Sequence, residues 1–210
     1  ITTNSRQASK KTFGHFLVYN DQICDTRYSK SCGGISENNE NVWNEPPKPY
    51  LRAIFDGSSK TIPDLKTNQK LNTWITNPPN CYCSYKYVDE KRLKKYIGKV
   101  DERGAYFRWS FRFTQAEITK IINQKCNTSF DTITSLKPLK RGVSGRITKL
   151  EISGKENEQF QNVQLNSEYE IRDALHPEFL YSSAFIITLD FDDNQIIKSI
   201  ILEGAGWGHG

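Results

Sequence analysis

Two glycine-rich segments carry the side chains best suited to chemistry. At the end of the sequence, Gly204-Ala205-Gly206-Trp207-Gly208-His209-Gly210 sets an indole and an imidazole on an otherwise bare backbone. An indole face stacks on sugar rings through CH contacts, and an imidazole donates or accepts a hydrogen bond near neutral pH. The same residues also allow a structural reading: Trp is highly buried on average, so Trp207 would belong to the core and His209 would cap a turn. The second segment, Ser31-Cys32-Gly33-Gly34, pairs two glycines that let the backbone turn sharply or approach a ligand closely. Glu37 follows it, and either positions a substrate or buttresses the Gly-Gly loop.

The five cysteines, Cys24, Cys32, Cys81, Cys83 and Cys126, are irregularly spaced. They form neither a dense disulfide framework nor a pair of CxxC zinc knuckles. Cys81 and Cys83 are too close in sequence for an easy mutual bridge. Compartment cannot be read from them.

The elements that must position these segments are mostly legible as local patterns. Residues 16–19 and 22–28 flank Asn20-Asp21, a pair suited to a tight hairpin turn with positive φ. Trp43 and the Pro46-Pro47-Lys48-Pro49 run precede a short apolar stretch from Tyr50 to Phe55. Residues 57 to about 87 read as polar and irregular. From Asp89 onward, Leu93, Tyr96, Ile97 and Val100 fall on one helical face. Tyr106 to Phe113 alternates strictly, with Phe107, Trp109, Phe111 and Phe113 on one side, as a half-buried strand requires. Thr114 with Glu117 reads as a capping box for a helix through Ile118, Ile121 and Ile122. Strands are expected over 146–152, 184–191 and 195–202, with a turn at Asp192-Asp193-Asn194 between the last two. A short helix between them opens at Ser167, with Glu170 three residues on, and stops before Pro177. This order implies an α+β fold, a strand-rich mixed domain with hairpins and a few short helices. One domain over 1–210 is expected, with 57–140 as an inserted or peripheral part.

Net charge is +5, with basic residues scattered rather than massed. The densest blocks, Lys91 to Lys95 and Lys137 to Arg141, read as solvated faces, so nucleic acid is not an expected partner. No apolar run approaches the roughly 20 residues that span a bilayer.

Several segments, taken in order, resemble the stage II sporulation protein D family. The first runs from Ile23 through Tyr28 to Ser31-Cys32-Gly33-Gly34, followed by Ser36-Glu37, Val42-Trp43 and Pro49-Tyr50-Leu51. The second is the terminal Gly204-Ala205-Gly206-Trp207-Gly208-His209-Gly210. Between them, Tyr106–Glu117 and Arg141-Gly142-Val143-Ser144-Gly145-Arg146 resemble the family's middle region, so the likeness covers nearly the whole chain.

The resemblance implies lytic transglycosylase action on peptidoglycan, with preference for glycan stripped of stem peptides. That chemistry needs one carboxylic acid to protonate the glycosidic oxygen, after which the sugar's own 6-hydroxyl closes an anhydro ring. In the family this acid is a Glu on a helix upstream of the hairpin. Residues 1–14 hold no Glu, so no catalytic residue is expected in this chain.

Ile1 opens the sequence and the final motif stops short, so the domain reads as cut at both ends. Its signal or anchor is expected upstream and its location outside the cytoplasm. Tyr28, Ser31, Cys32, Gly33, Gly34, Glu37, Gly206, Trp207, Gly208 and His209 are the expected substrate-binding residues, with peptidoglycan glycan strands as partner. Related domains are described as amidase enhancers, which gives a second reading: a wall-binding module without catalysis, partnered by a cell-wall amidase.

Some members carry zinc near the Gly-Gly loop through His and Cys. Here Ser29, Ile35, Glu40 and Asn41 occupy that stretch, and Cys24 and Cys32 are the only soft ligands beside it. Two ligands do not complete a tetrahedral site, and both cysteines also suit small buried positions, so neither metal nor cofactor is expected.

Overall fold

The computed structural model describes residues 3–43, 45–89, 91–92 and 105–208 of the chain. The helix expected beyond Asp89 through Val100 lies outside the described residues, apart from the short stretch at 91–92.

A helix, α1 (Thr3–Lys11), leads into the hairpin β1 (Val18–Tyr19) and β2 (Gln22–Ile23). Asn20 and Asp21 both take positive φ, 49° and 61°, which is what the right-handed twist of a two-residue hairpin demands. One turn of helix, α2 (Asn39–Val42), and α3 (Asn68–Thr76) follow, with Thr67 accepting the Lys70 amide at the start of α3.

The remainder is built from two three-stranded antiparallel sheets. In the first, β8 (Ile197–Ala205) lies between β3 (Arg108–Thr114) and β7 (Phe185–Phe191). In the second, β5 (Ile147–Glu156) lies between β4 (Thr132–Arg141) and β6 (Gln159–Leu165). Two helices, α4 (Gln115–Cys126) and α5 (Glu168–Ala174), pack on them. The fold is α+β and strand-rich. Among the described residues no helix is long and apolar enough to cross a membrane.

The main core joins α4 to the inner faces of both sheets. Trp109, Ile118, Ile122, Ile133, Leu150, Ile152, Phe185 and Ile200 are all buried in it. The alternation holds within β3 from Trp109 on, with Trp109 and Phe113 inward and Ser110 and Arg112 outward. Tyr106 and Arg108, which the pattern put on the outer side, turn inward, Tyr106 buried and Arg108 bonded to backbone carbonyls. A smaller cluster joins Ile35, Leu65, Leu71, Ile75 and Ala205, so it ties α3 and the Gly-Gly loop to the end of β8. Within 57–140, Leu65, Leu71 and Ile75 enter the smaller core and Trp109, Phe113, Ile118 and Ile133 the main one.

Three regular elements depart from the expected pattern. β4 carries Pro138 and three basic residues, a composition that argues against a central strand. It is tolerated because β4 is an edge strand, with register shifts on both sides of Pro138. β6 is mostly exposed and polar and forms by pairing with β5, so it has little burial pattern of its own. α3 lies inside the stretch read as irregular and is secured by burial of Leu71 and Ile75.

Two outcomes follow from this packing. Thr114 and Glu117 form a full capping box at the start of α4. Thr114→Ala should lower stability by about 1 kcal/mol in urea unfolding.

His176 Nδ1 accepts the Glu178 and Phe179 amides while its ring packs on Phe111. Burial pulls its pKa below the ordinary 6.5. The unfolded chain then binds the proton more readily, so this contribution is fully present above the ordinary value and is lost as pH falls from there through the lowered folded value. The urea midpoint should drop between pH 7.5 and 5.5, and His176→Asn, which can accept the same amides without titrating, should flatten that slope.

Candidate functional site

The two glycine-rich segments, far apart in sequence, meet as a short piece of antiparallel main chain. Ser31 N donates to Trp207 O at 3.1 Å and Trp207 N to Ser31 O at 2.7 Å. The backbones touch. A Cβ on Gly33 would lie 2.7 Å from Gly206 N, and one on Gly206 would lie 2.8 Å from Ser31 O. Both residues also take left-handed φ, +74° and +79°. Glycine is required at both positions by space and by conformation.

Neighbouring strands hold this crossing from three sides. Gly206 N donates to Phe107 O, the Trp109 indole donates to Gly206 O, and Gly208 N donates to Tyr181 O. Ser182 Oγ donates to Ala205 O at 2.7 Å. On the other segment, Gly33 O accepts both the Trp74 indole at 3.3 Å and Arg108 Nη1 at 3.0 Å. The Arg108 guanidinium, largely buried, also donates to the carbonyls of Trp74, Ile75 and Phe107. Desolvation holds its pKa down at about 10.

Glu37 is a support and not a contact residue. It is 4% exposed. Its Oε1 accepts from Asn38 N and Asn41 Nδ2, and its Oε2 accepts from Ser144 N at 3.0 Å and Ser144 Oγ at 2.6 Å. Ser144 Oγ in turn accepts from Arg146 Nη1, and the buried Arg146 reaches Ile35 O and Cys32 O on the Gly-Gly loop. The carboxylate thus joins the loop to the β4–β5 turn. A side chain at Gly142 in that turn would collide with it. Of the two readings of Glu37, buttressing describes its geometry, and its assignment as a substrate contact is corrected accordingly.

Trp207 needs a similar correction. The indole is half-buried, not displayed on bare backbone. It stacks on Tyr181 at 4.0 Å and 8°, and on Tyr106 at 4.8 Å and 26°, with Lys30 Nζ 4.5 Å from the ring centroid. Its glycine neighbours serve the main-chain crossing: Gly206 against Ser31 and Cys32, Gly208 against Ser29.

Of the other expected contact residues, Ser31, Gly33, Gly34 and Gly206 are buried and shape the backbone. Cys32 and Gly208 are partly buried. Tyr28 is 87% exposed and is fully available to a ligand. His209 lies outside the described residues.

Three groups at this junction were not singled out from the sequence. Arg27 lies over the Trp43 ring at 4.3 Å and pairs with Asp25 and Glu45, and Lys48 pairs with the same two carboxylates. These hydrogen bonds, from Arg27 first and then Lys48, hold the Asp25 pKa at about 2. They moor the segment before Tyr28 to Trp43, Glu45 and Lys48. Second, Tyr106 and Tyr181 supply the aromatic stack around Trp207.

Third, a cysteine cluster sits beside the Gly-Gly loop. Cys32 Sγ is 3.7 Å from Cys83 Sγ, which is 3.9 Å from Cys81 Sγ. The Cys32, Cys83 and Asp56 donor atoms all lie within 4.8 Å of one another. The hydrogen bond with Cys83, and then burial, raise the Cys32 thiol pKa. Cys83 is pushed up to about 12: its bond with Cys32 pulls the other way, but the Cys81 thiol, burial and Asp56 outweigh it. The donor count made along the loop is therefore revised. Cys24 is not in the group, and the added donors come from residues 56 and 83.

The fold and this junction define a strand-rich α+β domain organised around a crossing of two glycine-bearing main-chain segments. The family described as domain of unknown function (DUF8618) matches residues 37–210, and the chain belongs to that family. Its match starts at Glu37, just past the Gly-Gly loop. A search of curated proteins finds no match.

Removing the buttress should be costly. Glu37→Ala leaves the Asn38 and Ser144 amides and two side-chain donors without their acceptor, at about 1–3 kcal/mol for each group left unsatisfied. The variant should lose at least about 3 kcal/mol on that basis. Glu37→Gln, which keeps an acceptor, should lose less. Equal urea midpoints for Glu37→Ala and the parent chain would remove Glu37 from this role.

Proposed function

We propose that this chain is directed at the glycan strands of peptidoglycan. We further propose that it is part of a lytic transglycosylase whose general acid is supplied by residues outside 1–210. The observation that carries the reading is the meeting of the two family-like segments, Ser31–Gly34 and Gly206–Gly208, at one place beside Tyr28, Lys30 and Trp207. The half-buried indole with Lys30 over it, and the exposed Tyr28 two residues before that lysine in sequence, offer group types suited to sugar rings, because aromatic faces take apolar CH groups while polar tips take hydroxyls. The proposed place of action is outside the cytoplasm, where the wall is.

The second reading, a wall-binding module or amidase enhancer without catalysis, draws on one observation. The carboxylate nearest the Gly-Gly loop in sequence, Glu37, is buried and its oxygens are occupied by four hydrogen bonds. A general acid must reach the glycosidic oxygen, and Glu37 in this setting does not. Both readings give the same expectation for the chain by itself: it binds glycan and does not cut it.

Co-sedimentation with purified wall, intact and stripped of stem peptides, tests binding. Tyr28→Ala should weaken retention several-fold, in line with about 0.5–1.5 kcal/mol for an aromatic contact, and leave the thermal midpoint unchanged. Trp207→Ala should lower both retention and midpoint, because the ring packs on Tyr181 and Tyr106. No anhydro-sugar should be released by residues 1–210. Absence of any retention on stripped glycan would refute the proposal, and release of anhydro product would place an acid within this chain.

A further inference from the structure

Three of the five cysteines converge on one point beside the Gly-Gly loop. Cys32 Sγ lies 3.7 Å from Cys83 Sγ, and Cys83 Sγ lies 3.9 Å from Cys81 Sγ. Cys32 and Cys83 are 51 positions apart and both are part-buried, whereas Cys81 is fully buried. We propose that Cys32 and Cys83 form a covalent cross-linking site, closed by a disulfide that fastens the 81–84 segment to the Gly-Gly loop.

The two backbones are held in place by contacts that do not involve sulfur. Ile35 and Phe55 form an antiparallel bridge, and Asp56 N donates to Gly34 O at 3.0 Å. Tyr82 N donates to Asp56 O at 2.7 Å and Cys83 N to Asp56 Oδ2 at 2.9 Å, so Asp56 links the loop to the segment that carries Cys83. From the other side, Arg146 Nη2 donates to Cys32 O at 3.3 Å. The fold therefore places the sulfurs. Closing them to the roughly 2.05 Å of an S–S bond takes side-chain rotation and a small adjustment of an irregular segment.

The pairing is selective. Cys81 also touches Cys83, but two cysteines with one residue between them bridge only with distortion. The Cys81 sulfur packs under Gly34, where an added Cβ would lie 3.0 Å from it, and its burial keeps an external disulfide away. Cys24 and Cys126 are in no sulfur–sulfur contact among the described residues.

The reaction is a thiol–disulfide exchange with an external disulfide, either a small molecule or that of an oxidoreductase. Cys83, after loss of its proton, attacks one sulfur of that disulfide and displaces one thiolate. Cys32, deprotonated in turn, attacks the Cys83 sulfur of the mixed disulfide and displaces the second. Cys32 and Cys83 together lose two electrons, and the external disulfide becomes two thiols that take up the two protons. Both cysteines are held protonated near neutral pH, Cys83 with its pKa pushed up to about 12, so the exchange speeds up as pH rises. Such bridges persist outside the cytoplasm, the place of action proposed above, but the pairing rests on the fold alone and not on glycan recognition.

The test equilibrates the full 210-residue chain with mixtures of reduced and oxidised glutathione at mildly alkaline pH, then alkylates the free thiols and maps the peptides. One bridge, Cys32–Cys83, is expected, with Cys24, Cys81 and Cys126 alkylated. It should persist in glutathione mixtures that fully reduce the same chain in urea, because the fold holds the two sulfurs together. The oxidised chain should also have a higher urea midpoint than the reduced one, because the bridge closes a long loop in the unfolded state. These readouts need no variant, so they stand even if substitutions impair folding. Cys81→Ser should keep the bridge, and Cys83→Ser should leave every remaining cysteine open to alkylation. Linkage through Cys24, Cys81 or Cys126, no bridge at any glutathione ratio, or equal urea midpoints for the two forms would overturn the proposal.

Discussion

The contact between the Gly33 and Gly206 backbones is the constraint on which the rest of the molecule depends. Two strand exits can approach within main-chain distance only if neither carries a Cβ, and both glycines hold left-handed conformations that other residues adopt at a cost. Once they cross, the end of β8 is committed to the Gly-Gly loop. Trp109, one of the largest side chains of the main core, is then placed to bond Gly206 O, so the core and the crossing fix each other. The smaller cluster of Ile35, Leu71, Ile75 and Ala205 closes over the same point from the other side.

Buried polar groups help to set the loop's position beside the apolar packing of Ile35. Arg108, Arg146 and Glu37 are all largely removed from solvent, and none is found in a direct ion pair among the described residues. Each instead binds backbone carbonyls, backbone amides or Ser144. Such groups stabilise one arrangement because any other leaves them unsatisfied in a low-dielectric interior.

What was legible in the sequence is what depends on neighbours in sequence. The Asn20-Asp21 turn, the alternation of β3 from Trp109 on and the Thr114–Glu117 capping box are local rules, and the structure follows each of them. β4 and β6 are edge strands whose existence depends on β5, and Pro138 actively disguises the first. The glycine segments marked the site correctly as a place of close approach, but not what approaches: the partner of each is the other's backbone. Glu37 remained ambiguous because its deciding partner, Ser144, is 107 positions away. The groups around Cys32 were invisible for the same reason, since Asp56 and Cys83 meet it only in three dimensions.

Glycan recognition at the crossing is best tested by amide chemical-shift mapping with soluble, peptide-free glycan oligosaccharides. Perturbations should cluster at Tyr28 to Gly34 and at Tyr181 and Trp207 to Gly208, and should saturate with a single binding curve. Perturbations confined to other faces, or none at concentrations that saturate the retention of the chain on purified wall, would contradict recognition at this junction.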